Sequence, residues 1–429
     1  MKALRWVALL AASAALPSCG NGSAGNGEES LVTVRVTVGP QGEQANGDSL
    51  AFSLSADAQY VAFGSYAFNL TPNDANDSID VLVKDRSTGA VENITLLPAN
   101  PNGLVSGDSL QPSISADGRY VAFLSSGNFE NIPGANYSAT PPIFRPFLYD
   151  RIGRTYTAVH PPNAYFNDHA NGLALSGDGR YLAFGTTATN TGFAAGPGIQ
   201  VLLCDFGPNR DQSTLTLVSH ATASTTTPGN GSCNLWPGGI SGDGGIVTFE
   251  SVATNIAAGD AHAGPDVFFW RRSTGTVTLA SPGSGPTRGS YAGGISADGS
   301  TIGFLTIDST LSPQAGPASC RLYSVGTGQT RTISDPSQTV DYTPILLSGD
   351  GSRVVYEVQF PPLRFPFIYI EGVGSRILSQ STTGRTPALT VNGGILSADG
   401  RWAGWLTTVS TMAAGDTNGF QDVFLRGPF

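Results

Sequence analysis

The chain has 429 residues, 55 of them glycine, with 40% hydrophobic and only 13% charged residues. That balance suits many tight turns and a sizeable buried core, and excludes a chain too polar to collapse. The formal charge of −10, with 22 Lys and Arg against 32 Asp and Glu, excludes a phosphate-tracking nucleic-acid groove and disfavours docking on anionic lipid, since both need clustered positive charge.

The first residues carry an export signature. Lys2 and Arg5 supply a positive n-region ahead of an apolar run, WVALLAASAAL, that is too short for a stable spanning helix. LPSCG then resembles a bacterial lipobox, with Leu16 at −3, Ser18 at −1 and Cys19 at +1. Pro17 departs from the usual small or aliphatic residue at −2, so plain signal cleavage after Ala15 stands as the alternative. The resemblance implies a lipoprotein signal peptide over 1–18, a lipid thioether on Cys19, and membrane contact through that anchor only. GNGSAGNGEES reads as a flexible tether, giving a linker over 19–30.

Leu31 to Val38, LVTVRVTV, is a strand with no hairpin partner nearby. One motif then returns seven times: SLSADAQYVAF from Ser53, SISADGRYVAF from Ser113, LALSGDGRYLAF from Leu173, GISGDGGIVTF from Gly239, GISADGSTIGF from Gly294, LLSGDGSRVVY from Leu346 and ILSADGRWAGW from Ile395. Each copy reads as strand, turn, strand. Asp-Gly between strands predicts a two-residue type I′ hairpin, and Asp57-Ala58 in the first copy predicts a looser or different turn. The return strands are apolar at consecutive positions, which predicts burial of both faces.

A third strand follows in every copy (DVLVKD at Asp80, QVLLCD at Gln200, DVFFW at Asp266), and then a fourth such as TYTAV or TLTLVS. Asp57 and Asp399 stand six repeats apart, about 57 residues each. Four antiparallel strands at that interval make a propeller blade, so the fold class is all-β, a seven-bladed β-propeller over 31–429. The seventh copy stops after DVFL, so the N-terminal strand is expected to complete it and close the ring. The unit SISADGRYVAF, with NLTPNDAND (Asn69–Asp77) and the DVLVKDRSTG that follows, resembles the TolB-type, WD40-like repeats of bacterial envelope proteins. The resemblance covers the chain beyond the tether. It lacks the α/β domain that precedes the TolB propeller and the hydrolase domain of prolyl-oligopeptidase-like enzymes, so neither role carries over.

This strand order puts the Asp-Gly turns on one face of the disc and the longer loops on the other, which is the expected binding surface. Trp236 and Tyr291 stand five residues before the motif serine, and Tyr342 is one off that register; all three are expected at the channel mouth, for stacking or partner anchoring. Asp74/Asn76/Asp80, Asp260/His262/Asp266 and Asp416/Asn418/Asp422 share the pattern D-x-[N/H]-x₃-D. Oxygen donors so spaced begin a Ca²⁺ loop, and the alternative is Asx turns with the last aspartate starting a strand. His160, His169, His220 and His262 fall on the long-loop face without ligand spacing.

No G-x-S-x-G elbow, H-E-x-x-H or phosphate-loop motif is present, and no carboxylate pair is marked for glycoside chemistry. Cys204 is placed toward the Asp-Gly face, and Cys233 and Cys320 toward the long-loop face. A Cys204–Cys233 disulfide is therefore not expected, Cys233–Cys320 is left open, and free buried thiols are the alternative. Two functions fit: a non-enzymatic envelope lipoprotein binding a protein or cell-wall-associated partner, or a polysaccharide-binding or -degrading propeller acting at the channel mouth.

Overall fold

The computed structural model describes residues 31–429 apart from 73, 75, 97–106, 128, 130–141, 162–164, 211–212, 261–263, 282–287, 309–317, 336–338, 342, 361–362 and 380–391. Cys19, the signal peptide and tether, His262 and Tyr342 lie outside the described residues. Seven antiparallel sheets form the blades, spanning 49–93, 109–158, 170–217, 233–279, 288–332, 339–377 and 392–427. The second strands are largely buried, and wholly so at Tyr120–Ser125, Tyr181–Thr186 and Ile246–Ser251. Each is a middle strand of a sheet that is itself packed between two others.

The ring closes as the unpaired N-terminal strand requires. Val32–Arg35 lies antiparallel to Asp422–Gly427, with Val32 opposite Gly427 and Arg35 opposite Phe424. Blade 7 therefore takes its outermost strand from the start of the chain and its other three from residues 392–427.

The Asp-Gly turns differ from the expected type I′ form. In the second copy the Ser115 amide bonds to Tyr120 O and the Gly118 amide bonds to Ser115 O, which encloses a four-residue loop, Ala116–Arg119. Gly118 alone in this turn has positive φ (73°), so the turn is a type I turn followed by a left-handed residue. The serine and aspartate explain the preference. Ser115 Oγ donates to Asp117 Oδ1 (2.6 Å) and accepts from the Tyr120 amide (2.9 Å), while Asp117 Oδ1 accepts from the Arg119 amide (2.9 Å). These side-chain bonds take the place of the pair that a two-residue hairpin would make between backbones. The first copy is not looser. Ala58 takes the left-handed position at φ 55°, and Ser55 and Asp57 make the same bonds.

The turns are also tied to one another. Ala56 N bonds to Ala116 O, Ala116 N to Gly177 O, Asp178 N to Gly242 O and Gly242 N to Ala297 O. Asp298 N bonds to Gly349 O, Gly349 N to Ala398 O and Asp399 N back to Ala56 O, a closed circle through all seven blades. Hydrogen-bonded neighbours about 4.8 Å apart put the Cα atoms of a seven-membered ring about 5.5 Å from its axis. Only Ala or Gly stands at the residue after the motif serine, and at Gly349 even a Cβ would lie 2.9 Å from Ala398 O.

Candidate binding site at the channel mouth

Above the circle of turns, the inner strands of the seven blades enclose a cavity of about 590 Å³. The residue before each motif serine lines it: Leu54, Ile114, Leu175, Ile240, Ile295, Leu347 and Leu396. Each of these also packs into a different inter-blade hydrophobic cluster. The collar is thus the inner edge of the core, and it sits where the bore narrows. Toward the long-loop face the wall carries Gln111, Asn171, Asn234, Trp236 and three prolines, Pro112, Pro237 and Pro344. None of the described wall residues is ionisable.

Trp236 is half-buried on this wall, held by a glutamate that the repeat pattern does not mark. Its indole Nε1–H donates to Glu250 Oε2 (2.9 Å), and Asn234 Nδ2 donates to Glu250 Oε1 (2.7 Å). Glu250 is buried near the end of the second strand of blade 4, beside Asn234 in the sheet register. Tyr291 is not among the described wall residues; it stands near Glu250, and burial followed by that carboxylate's charge raises its phenol pKa. The structure therefore gathers Trp236, Tyr291, Asn234 and Glu250 into one cluster. The other blade with a glutamate at this place is blade 6 (Glu357), so an off-pattern acid in a second strand was the available signal.

The aspartate loops prove to be two kinds of place. Asp80, Asp266 and Asp422 each start a third strand, are buried, and accept at Oδ1 from Thr95, Ser281 and Thr37 respectively. In blade 7 the positive charge is built in: Arg35 of the closing strand sits 3.1 Å from Asp416 and 3.7 Å from Asp422, and Asn418 donates to Asp422. In blade 1 the equivalent strand position is Asn93, as the pairings Asn93–Leu82 and Arg35–Phe424 show. Asn93 donates to Asp74 (3.3 Å) and Asn76 to Asp80 (3.2 Å). Burial and then the neighbouring Asp80 push the Asp74 carboxyl up to about 6. Blade 7 thus sets an arginine beside its two carboxylates, whereas in blade 1 the two carboxylates meet amide and hydroxyl donors. Asp260 is half-buried in blade 4. Among the described residues no group of three or more His, Cys, Asp or Glu is arranged to hold a metal.

The described histidines have local partners. His160 contacts Pro161 O, His169 stacks beside Phe144, and buried His220 places its ring nitrogens on the carbonyls of Ala221 and Gly275. Cys204, Cys233 and Cys320 are free and buried. Burial raises all three thiols, Cys204 to about 12 and Cys233 to about 11, so they pack as small hydrophobes and not as nucleophiles.

No family model matches the sequence, and no curated protein matches it. Solved structures share its shape. An oligogalacturonate lyase in complex with manganese is 11% identical over 92% of this chain and 93% of its own, with a TM-score of 0.53. An acylaminoacyl peptidase is 12% identical over 89% of this chain and 51% of its own, with a TM-score of 0.52. TolB from Acinetobacter baumannii is 14% identical over 76% of this chain, with a TM-score of 0.41, and this chain spans 62% of its length. At these identities the likeness is one of fold: the chain is a seven-bladed β-propeller, the architecture expected from the resemblance of its repeats.

Proposed function

We propose that this protein is a non-enzymatic binding propeller of the bacterial cell envelope, anchored by lipid on Cys19, which engages a protein or cell-wall-associated partner at the channel mouth. The observation that carries this reading is the mouth itself: a concave opening lined by all seven blades, with one tryptophan held rigidly at its edge by a buried glutamate. A side chain positioned in advance loses little entropy on binding, which is the property of an interface anchor. The described wall offers surface and hydrogen-bonding amides, and its side chains are uncharged. A polysaccharide ligand is the second reading, since an exposed indole face also stacks on sugars.

Affinity capture from envelope extract, run beside a glycan array, separates the two. Saturable capture of a protein by the native propeller, lost with Trp236→Ala, supports the first reading; array binding without protein capture replaces it with the second. Cys19→Ser is expected to move the protein from the membrane pellet to the soluble fraction, and retention in the pellet argues against the anchor. A cation belongs in this reading only at Asp74 and Asp80, where calcium is the oxygen-seeking candidate.

A further inference from the structure

We infer that the cavity takes a linear aliphatic chain inserted end-on, with an uncharged polar head left at the mouth. This rests on reading the channel mouth as the binding face, and it specifies the chemistry of the ligand there. Three observations carry it. The described wall has no ionisable side chain, so a charge drawn inside would lose its water without gaining a counter-ion.

The polar groups are distributed unevenly. Amides and the Trp236 indole stand at the long-loop end, whereas the deep end is the collar of seven leucines and isoleucines. Below the collar, the amides and carbonyls of the turn circle are bonded from blade to blade. Ser53 and Ser113 line the wall beside the collar, but each hydroxyl oxygen already accepts from an amide of the next blade, Ile114 N (3.1 Å) and Leu175 N (3.0 Å), so the floor offers fewer free polar partners than the mouth. Water held in such a place is poorly ordered, and an apolar group gains by displacing it.

Shape selects among apolar ligands. Of the inner strand of blade 1, Ser49–Leu54, residues 51–54 line the cavity, a depth of about 13 Å at the usual rise. The collar sits just above a circle whose Cα atoms lie about 5.5 Å from the axis. A deep, tapering bore admits an extended chain and rejects a broad fused ring. Its volume of about 590 Å³ lies within the range of small-ligand sites.

The test is titration calorimetry of the full-length protein with n-alcohols of increasing length. Affinity is expected to rise about fourfold per added methylene and to level off once the chain reaches the collar. Ala51 lines the cavity and is exposed to it, so Ala51→Trp plugs the bore without entering the core and is expected to weaken binding at least tenfold. Pro237→Trp, at the exposed mouth, is the second plug should the first variant fail to fold. Absence of saturable binding, or binding that neither plug weakens, overturns the inference. Partner capture that persists without alcohol binding removes the inference alone; alcohol binding without any capture removes the partner reading alone.

Discussion

At the residue scale, the motif S-[AG]-D-G encodes a turn and a contact together. A Cβ at Gly118 would lie 2.2 Å from the ring of Tyr60 in the preceding blade, and Gly179 and Gly244 meet Tyr120 and Tyr181 at 2.4 Å. The glycine is needed both for its positive φ and for the aromatic packed on it. Gly118→Ala is therefore expected to cost about 2 kcal/mol or more in denaturant unfolding. Ala58→Gly is expected to be nearly neutral, because relief of about 1 kcal/mol of left-handed strain is offset by a more flexible unfolded chain. A large loss at Ala58→Gly and none at Gly118→Ala contradicts this account. The Ser348 hydroxyl and then the Ser352 amide hold Asp350 down at about 2, so its stabilisation is present above the unfolded carboxylate value and is lost as pH falls through about 2. Asp74 has the opposite sign: its pKa is raised to about 6, so stability is full below the unfolded value and is lost as pH rises through about 6. Asp74→Asn is expected to raise the Tm at pH 7 and to flatten its dependence between pH 4 and 6. Calcium, if it binds there, should raise the Tm of the native protein and leave that of the variant unchanged.

At the element scale, the closing strand is held by more than its ladder. Arg35 joins Asp416 and Asp422, Thr37 joins Asp422, and Lys84 of blade 1 donates to Val38 O (2.8 Å) and Gly89 O (2.8 Å). The Arg35 side chain is 9% exposed, against 3% for Asp416 and 0% for Asp422, so its removal leaves two buried carboxylates without a cation. Arg35→Ala is expected to cost about 3–5 kcal/mol, read as a lowered denaturation midpoint. Deletion of residues 31–38 removes the outer strand of blade 7 and exposes the edge of Asp422–Gly427. It is expected to give aggregation or loss of cooperative unfolding. A truncated protein melting like the intact one is incompatible with this closure.

At the scale of the whole molecule, stability comes from seven clusters lying between blades or at their faces, each including a collar residue. Aromatic–arginine contacts add to several of these interfaces: Arg86 lies 3.8 Å over Trp402, Arg151 4.6 Å over Tyr60 and Arg272 3.9 Å over Tyr181. Each joins a blade to the one before it, which favours cooperative loss of the ring. The three buried thiols report on that cooperativity. Cys204, Cys233 and Cys320 are expected to react with a thiol reagent only at the rate of global unfolding, and to show no crosslink in non-reducing peptide maps. Rapid labelling of one cysteine would reveal a blade that opens by itself.

The repeat made the fold legible because hydrophobic periodicity, turn residues and copy number all act through local sequence. Seven blades, four strands per blade and closure by the N-terminal strand followed from counting copies and finding one strand without a partner. The leucine or isoleucine before every motif serine was also in view, but its place on a cavity wall depends on where seven inner strands meet. Glu250 holds Trp236, and Arg35 occupies in blade 7 the place that Asn93 takes in blade 1. Both depend on side chains brought together across a sheet or from opposite ends of the chain, as Arg35 and Asp416 are. The turn type was misjudged from Asp-Gly alone because a serine two residues earlier redirects the hydrogen bonds. Local pattern determined the elements and their order; the cavity, its leucine and isoleucine collar and the pinned tryptophan were decided by tertiary structure, because ring closure sets which side chains converge on the axis.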